Sequence, residues 1–146
     1  MTEKTVVQGL EAVLADTYLL YLKTQNYHWN VVGPHFQSLH GYFESLYQEL
    51  AEAIDQIAER LRMLGASAPG SFQHFLKIAS LQEATSSETA EAMVKTLAAD
   101  QRGLEEVLQK ALKAAEEADD VVTQDLLTQR LAVHQKNHWM LSGMAA

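Results

Sequence analysis

His28-Trp29-Asn30-Val31-Val32-Gly33-Pro34-His35-Phe36-Gln37-Ser38-Leu39-His40 is the stretch on which the fold turns. It contains a glycine-proline break between two long runs of helical periodicity. Before it, from about Thr5 to Trp29, lie two apolar stripes: Val6, Leu10, Val13, Leu20 and Tyr21, then Val7, Leu14, Tyr18, Leu22 and Trp29. A helix apolar on two sides needs two partners; one can be its own bundle and the other a neighbouring subunit. Residues 30–34 read as the turn, with Pro34 at the first position of the next helix, where a missing N–H costs nothing. After the turn, Phe36, Leu39, Phe43, Leu46, Leu50, Ile54, Ile57, Leu61 and Leu64 recur at intervals of three and four. That spacing predicts a second helix running to about Leu64, stopped by Gly65.

Working outward, residues 65–87 are rich in Ala, Ser, Pro and Gly, with Phe72, Phe75, Leu76 and Ile78 marking a short packed helix. Thr85-x-x-Glu88 has the form of a capping box for the next long helix. That helix carries Met93, Leu97, Leu104, Leu108, Ala111 and Leu112 and fades near Ala118. Asp119 or Asp120 caps the last helix, which is expected to reach Ser142, before Gly143. Two helix pairs joined by one long crossover have the connectivity of ferritin-like bundles. The expected fold is therefore all-α, a four-helix bundle with a short extra helix in the crossover, formed by residues 1–146 as one domain. No internal repeat or low-complexity tract interrupts it.

Composition agrees. A chain of 146 residues buries roughly 70% of its unfolded surface, so neither a disulfide nor a structural metal is needed for stability. Seven glycines and two prolines are too few for an all-β protein. There is no cysteine, which removes thiolate chemistry. The net charge of -8 works against binding a polyanion and favours attraction of cations. Met1-Thr2-Glu3-Lys4 lacks a basic segment followed by an apolar one, and no apolar run approaches the ~20 residues of a membrane span. The reading is a cytoplasmic protein.

The chemistry concentrates between Asn26 and Arg60, in His28, His40, Glu44, Asp55 and Glu59. His40 and Glu44 are four apart and share a helix face, as do Asp55 and Glu59. Imidazole with carboxylate suits iron or zinc. At about 100° per residue these four groups lie roughly 80–180° from the centre of the apolar stripe, away from the bundle core. The two pairs are centred 15 residues apart, about 22 Å at the helical rise. One metal centre cannot use both pairs from one helix. Two copies packed antiparallel across a two-fold axis can bring one chain's His pair beside the other chain's acids, giving two identical sites.

His28-Trp29-Asn30, Gly33-Pro34-His35-Phe36, Leu39-His40, Phe43, Tyr47 and Asp55-x-x-Ala58-Glu59-Arg60 together resemble the Dps family of mini-ferritins. The similarity extends to the crossover helix and to His134-Gln135-Lys136-x-x-Trp139-Met140-Leu141. The resemblance implies a ferroxidase centre made of His28, His40 and Glu44 from one subunit and Asp55 and Glu59 from its two-fold mate. The family usually has Asp where Glu44 stands. The extra methylene leaves open direct ligation, ligation through water, or service at a second metal position. Ferritins proper and bacterioferritins use Glu-x-x-His inside the bundle, and none of the six histidines here has Glu three residues before it.

The resemblance also implies Fe²⁺ oxidation, with hydrogen peroxide preferred over O₂, and storage of ferric mineral in a dodecameric shell. It implies iron and no organic cofactor. Such a protein protects the cell and its DNA without touching DNA. Two other functions stay open: a DNA-condensing protein, although only Lys4 precedes the first helix, and a non-catalytic metal-binding shell. The resemblance further suggests that Asp120 and Asp125 line pores at the three-fold axes, with helix capping as the plainer account of the Asp119, Asp120 and Asp125 cluster. Glu49 and Glu52 read equally as cavity-facing acids or a solvated face. His134 and His138, an i,i+4 pair, read first as packed histidines and second as a metal pair; His35 and His74 have no companion. Trp29 reads first as a packing residue and second as a trap for oxidising equivalents.

Overall fold

The computed structural model describes residues 2–85 and 87–146; Met1, at the head of the segment read for a leader, lies outside them. Among the described residues five helices follow one another: α1 (Thr2–Asn30), α2 (Phe36–Met63), α3 (Phe72–Ile78), α4 (Ala90–Glu117) and α5 (Val121–Ala145). The four long ones form the bundle. α1 packs on α2 and on α4, and α4 on α5, while α3 lies against α1 within the crossover. Among the described residues no helix is long and apolar enough to cross a membrane.

The core is built from the predicted stripes. Val6, Leu10, Val13, Leu14 and Leu20 of α1 meet Leu39, Phe43, Leu46, Leu50, Ile57 and Leu61 of α2, with Leu97, Leu104 and Leu108 of α4 and Leu127 and Leu141 of α5. Ile54 and Leu64 are only half-buried, and Phe36 is exposed, since the helix begins there and its ring stacks on His40 instead. Leu22 and Trp29, from the second stripe of α1, also face outward. Gly9 lets α1 approach α4 closely: a Cβ there would meet the Ala111 backbone Cα at 3.0 Å.

The ends of the helices depart from expectation in three places. Pro34 precedes α2 rather than opening it: the Phe36 N–H donates to the Gly33 carbonyl at 3.1 Å, placing Pro34 second in a turn, where its fixed φ is favoured. Thr85 and Glu88 do not cap α4. Glu88 Oε1 accepts from the Thr85 N–H and hydroxyl within the loop, and α4 starts later, capped by Thr89, which accepts from the Ala92 N–H at 3.1 Å. α5 runs through Gly143 to Ala145, because nothing after Ser142 breaks it.

Gly65 stops α2 as expected, at φ +84, with Ala66 N–H donating to the Leu61 carbonyl at 3.0 Å. Asp119 fills the same left-handed position after α4, at φ +54, with Asp120 N–H donating to the Ala115 carbonyl at 2.9 Å. A side chain in that conformation carries a steric cost that glycine avoids. Asp119→Gly is therefore expected to raise stability by about 0.5 kcal/mol, the steric relief exceeding the entropy that glycine adds to the unfolded chain. Urea denaturation at fixed protein concentration measures it, and an unchanged or lower midpoint contradicts it.

The crossover is held to α1 by polar bonds. Asp16 accepts from the N–H groups of Ser80 (2.8 Å) and Leu81 (3.0 Å) and from the Ser80 hydroxyl (2.7 Å). Lys23, almost fully buried, donates to the Gln82 carbonyl at 2.8 Å and pairs with Asp100 of α4 at 2.9 Å. The Tyr27 hydroxyl donates to Glu88 at 2.5 Å. Burial and the facing carboxylate hold that phenol protonated far above its usual range.

Candidate metal centre

His28 lies in the last turn of α1 and His40 in the second turn of α2, so the hairpin between them brings the two rings together. Each ring is tied to the other's main chain. His28 Nδ1–H donates to the His40 carbonyl at 2.7 Å, and His40 Nδ1–H donates to the His28 carbonyl at 2.7 Å. A carbonyl can only accept, so Nδ1 must carry the proton in both rings. In the neutral imidazole this leaves each Nε2 with a free lone pair, the form a metal requires. The rings lie face to face, with centroids 3.8 Å apart and planes 14° apart. Phe36 stacks on the outer side of His40 at 5.1 Å, and Tyr47 meets His28 edge-on at 5.2 Å.

Glu44, one turn after His40, completes the cluster. Its Oε1 is 3.8 Å from His28 Nε2. Among the described residues, one donor atom each from His28, His40 and Glu44 can be chosen so that all lie within 4.8 Å of one another. His28 is only 6% exposed, whereas the Glu44 side chain is 45% exposed. The centre is thus anchored on the buried side and open on the other. Gln48 Nε2 donates to Glu44 Oε2 at 3.4 Å and steadies the carboxylate.

Asp55 and Glu59 do not join this cluster within the chain. Both are exposed on α2, further along the helix, as the 22 Å estimate requires. Within the chain, the His28, His40 and Glu44 cluster and the two acids are therefore separate groups.

The remaining candidates have other partners. Asp120 caps α5, accepting from the Thr123 N–H (3.0 Å) and hydroxyl (2.5 Å), and pairs with Arg60 at 3.0 Å. These bonds hold its carboxyl below the usual range against the opposing effect of burial. Asp125 is exposed and accepts from Gln129 at 2.8 Å. Glu49 pairs with Arg130 of α5, and Glu52 is exposed.

His134 is fully buried: Nδ1–H donates to Gln101 Oε1 at 2.7 Å, and Nε2 accepts from Arg130 at 3.0 Å. His138 Nδ1–H donates to the Ala98 carbonyl at 2.9 Å, and its Nε2 faces the Ser142 hydroxyl at 3.3 Å. The packed reading of this pair therefore fits and the metal reading does not. His35 and His74 are exposed. Trp29 is 60% exposed, so within one chain it is not a packing residue.

Sequence reasoning placed Tyr47 in the motif but gave it no role, and it assigned Phe36 to the core. Both share the face of His40 and Glu44 at helical spacing, which was the available signal. The reciprocal ring-to-carbonyl bonds left no trace in residue type.

Comparison with known proteins follows the same lines. A family model described as a ferritin-like domain matches residues 7–146. The DNA protection during starvation protein 2 of Bacillus anthracis is 40% identical over 138 residues, covering 94% of this chain and 94% of its own. A Dps protein from Bacillus brevis has a solved structure that superposes with a TM-score of 0.97 at 38% identity, covering 99% of this chain and 97% of its own. The Dps protein of Vibrio cholerae O1, described as a member of a broad superfamily of ferritin-like diiron-carboxylate proteins, superposes with a TM-score of 0.95 at 30% identity over 99% of this chain and 91% of its own.

Proposed function

This chain belongs to the Dps family of ferritin-like proteins, and from that membership and the half-built centre at His28 we propose that it oxidises Fe²⁺ and stores the ferric product. The observation that carries the reading is the pair of free Nε2 lone pairs beside one carboxylate. Two imidazoles with one carboxylate form a donor set suited to Fe²⁺, which here is the substrate. His28, His40 and Glu44 bind it on one chain, and Asp55 and Glu59 of a second copy close the centre across a two-fold axis.

The protein's part in the chemistry is electrostatic. Anionic oxygen stabilises Fe³⁺ more than Fe²⁺, since the harder cation gains more from it. The added acids thereby lower the potential and favour electron loss. Hydrogen peroxide is the preferred oxidant and O₂ the slower one. The assembled form is a dodecamer in the cytoplasm, with ferric mineral inside. Consuming Fe²⁺ and peroxide together protects DNA at a distance. Direct DNA binding is not part of the reading, because twelve such chains multiply a net charge of -8. Asp125 is the freer of the two acids proposed for iron entry, Asp120 being engaged by Arg60 and Thr123.

An anomalous-difference map of an iron-soaked crystal tests the site. The expected peak lies against His28 and His40 of one chain and Asp55 and Glu59 of its neighbour, with Glu44 within reach. A peak whose protein ligands all come from one chain, or no peak at His28, overturns the assignment.

A further inference from the structure

Asp16, Lys23 and Tyr27 follow one another along α1 at spacings of seven and four, so they share a face of the helix. Asp16 and Lys23 reach Ser80, Leu81 and Gln82 of the crossover. Tyr27 is the last of the three, fully buried and one residue before His28. Its hydroxyl donates to Glu88 Oε2 at 2.5 Å. Glu88 is fixed in turn, since Oε1 accepts from the Thr85 N–H and hydroxyl, each at 2.9 Å. Although burial opposes it, the bonds from Tyr27 and Thr85 hold the Glu88 carboxyl below its usual range. The acceptor is therefore charged and the bond a strong one.

A phenylalanine would fill the same space with no hydroxyl to satisfy. What the hydroxyl adds is a fixed point on the last turn of α1, where helices ordinarily fray. Only three residues of the helix follow Tyr27. The His28 carbonyl is among the last four of α1, which have no partner within the helix, and this oxygen accepts from His40 Nδ1–H at 2.7 Å. The arrangement of the two rings thus depends on the phase of that turn. At a side-chain radius of about 5–6 Å, a rotation of about 10° moves a donor atom by about 1 Å. That exceeds the roughly 0.5 Å within which a functional group must be held.

We propose that the Tyr27 hydroxyl, anchored on Glu88, is a positioning group that sets the phase at which α1 presents His28 to His40 and to the metal. The proposal rests on the metal-binding reading above. Neither Tyr27 nor Glu88 belongs to the donor cluster; Tyr27 acts through the backbone of the residue that follows it. The carboxylate comes from the segment just before α4, so the crossover, which holds no donor of the cluster, becomes part of its support. The bond is made inside one chain, and Tyr27 is already sealed from solvent there. A second copy laid over the histidines leaves it in place.

The test titrates the assembled, iron-free protein with cobalt(II), a probe that is not oxidised on binding, and reads its visible absorption. The variant with both His28 and His40 changed to alanine defines the share of the signal that belongs to the centre. Tyr27→Phe, which keeps the ring, is expected to weaken cobalt binding there by about tenfold, the lower end of what loss of an outer supporting group costs. Glu88→Ala removes the same bond from its half-buried side and should match it, which carries the test if Tyr27→Phe fails to assemble. Combining the two should add nothing, since both act on one bond. Leu127→Val, a core truncation in α5, loosens packing without touching the bond and should leave the affinity unchanged. If either single variant binds cobalt as tightly as the parent, if their effects add, or if Leu127→Val loses as much, the positioning role is overturned while the metal reading stands. If the double-alanine variant binds cobalt like the parent, the metal reading falls and the proposal with it.

Discussion

Replacing His28 and His40 together with alanine is expected to slow peroxide-driven Fe²⁺ oxidation by at least about 100-fold, the upper end of what loss of a mere supporting group costs at a metal site. The reason goes beyond the lost nitrogens. Each ring is held by the other residue's carbonyl, so removing one imidazole leaves one carbonyl without its donor and one ring without its stacking partner. The single variants should therefore each approach the double variant, since the two residues act as a unit. Stopped-flow absorbance with Fe²⁺ and peroxide measures the rate, and sedimentation checks that assembly persists. A double variant as fast as the parent removes His28 and His40 from the chemistry.

Acid is expected to weaken the bundle through His134, far from that centre. Burial, with the Arg130 charge beside it, pushes the His134 imidazole down to about 3. Gln101 from α4 accepts its Nδ1–H, Arg130 faces its Nε2, and Glu49 of α2 lies behind Arg130. The unfolded chain takes up this proton near pH 6.5, while the folded chain refuses it until about 3. Stability is thus fully present above pH 6.5 and falls as pH drops through that window. At about 1.4 kcal/mol per unit, the loss is on the order of 4 to 5 kcal/mol, a large share of the 5–15 kcal/mol typical of a folded domain. His134→Gln removes the titration. It should cost roughly 1–2 kcal/mol at pH 7 through altered packing, yet flatten the decline between pH 6.5 and 4. Denaturant midpoints at matched protein concentration supply the comparison, and parallel curves for parent and variant would count against His134 as the source.

Both sites show what residue patterns can and cannot carry. The α2 stripe, the Gly65 stop and the His40/Glu44 face are set by neighbours three and four residues away, so periodicity exposes them. Asp16, Lys23 and Tyr27 were illegible because their partners lie about 60 residues further on, and only the folded crossover brings them together. Thr85 and Glu88 had the spacing of a cap and do bond to each other, but they do so in the loop, because α4 begins only after Thr89. That His40/Glu44 and Asp55/Glu59 cannot meet within one chain was readable from helical rise alone. Which nitrogen of each histidine is free was not, because it depends on two main-chain oxygens.

Surface connections usually tolerate inserted residues, since closure entropy grows slowly with length. The connection from Val31 to His35 is an exception of an unusual kind. Both ring-to-carbonyl bonds span twelve positions, from the end of one helix to the start of the next. Adding or deleting a residue between Asn30 and Phe36 would shift the phase of one helix end against the other and part the rings, although no ligand had changed. The length of this spacer is therefore as much a determinant of the centre as the imidazoles it aligns.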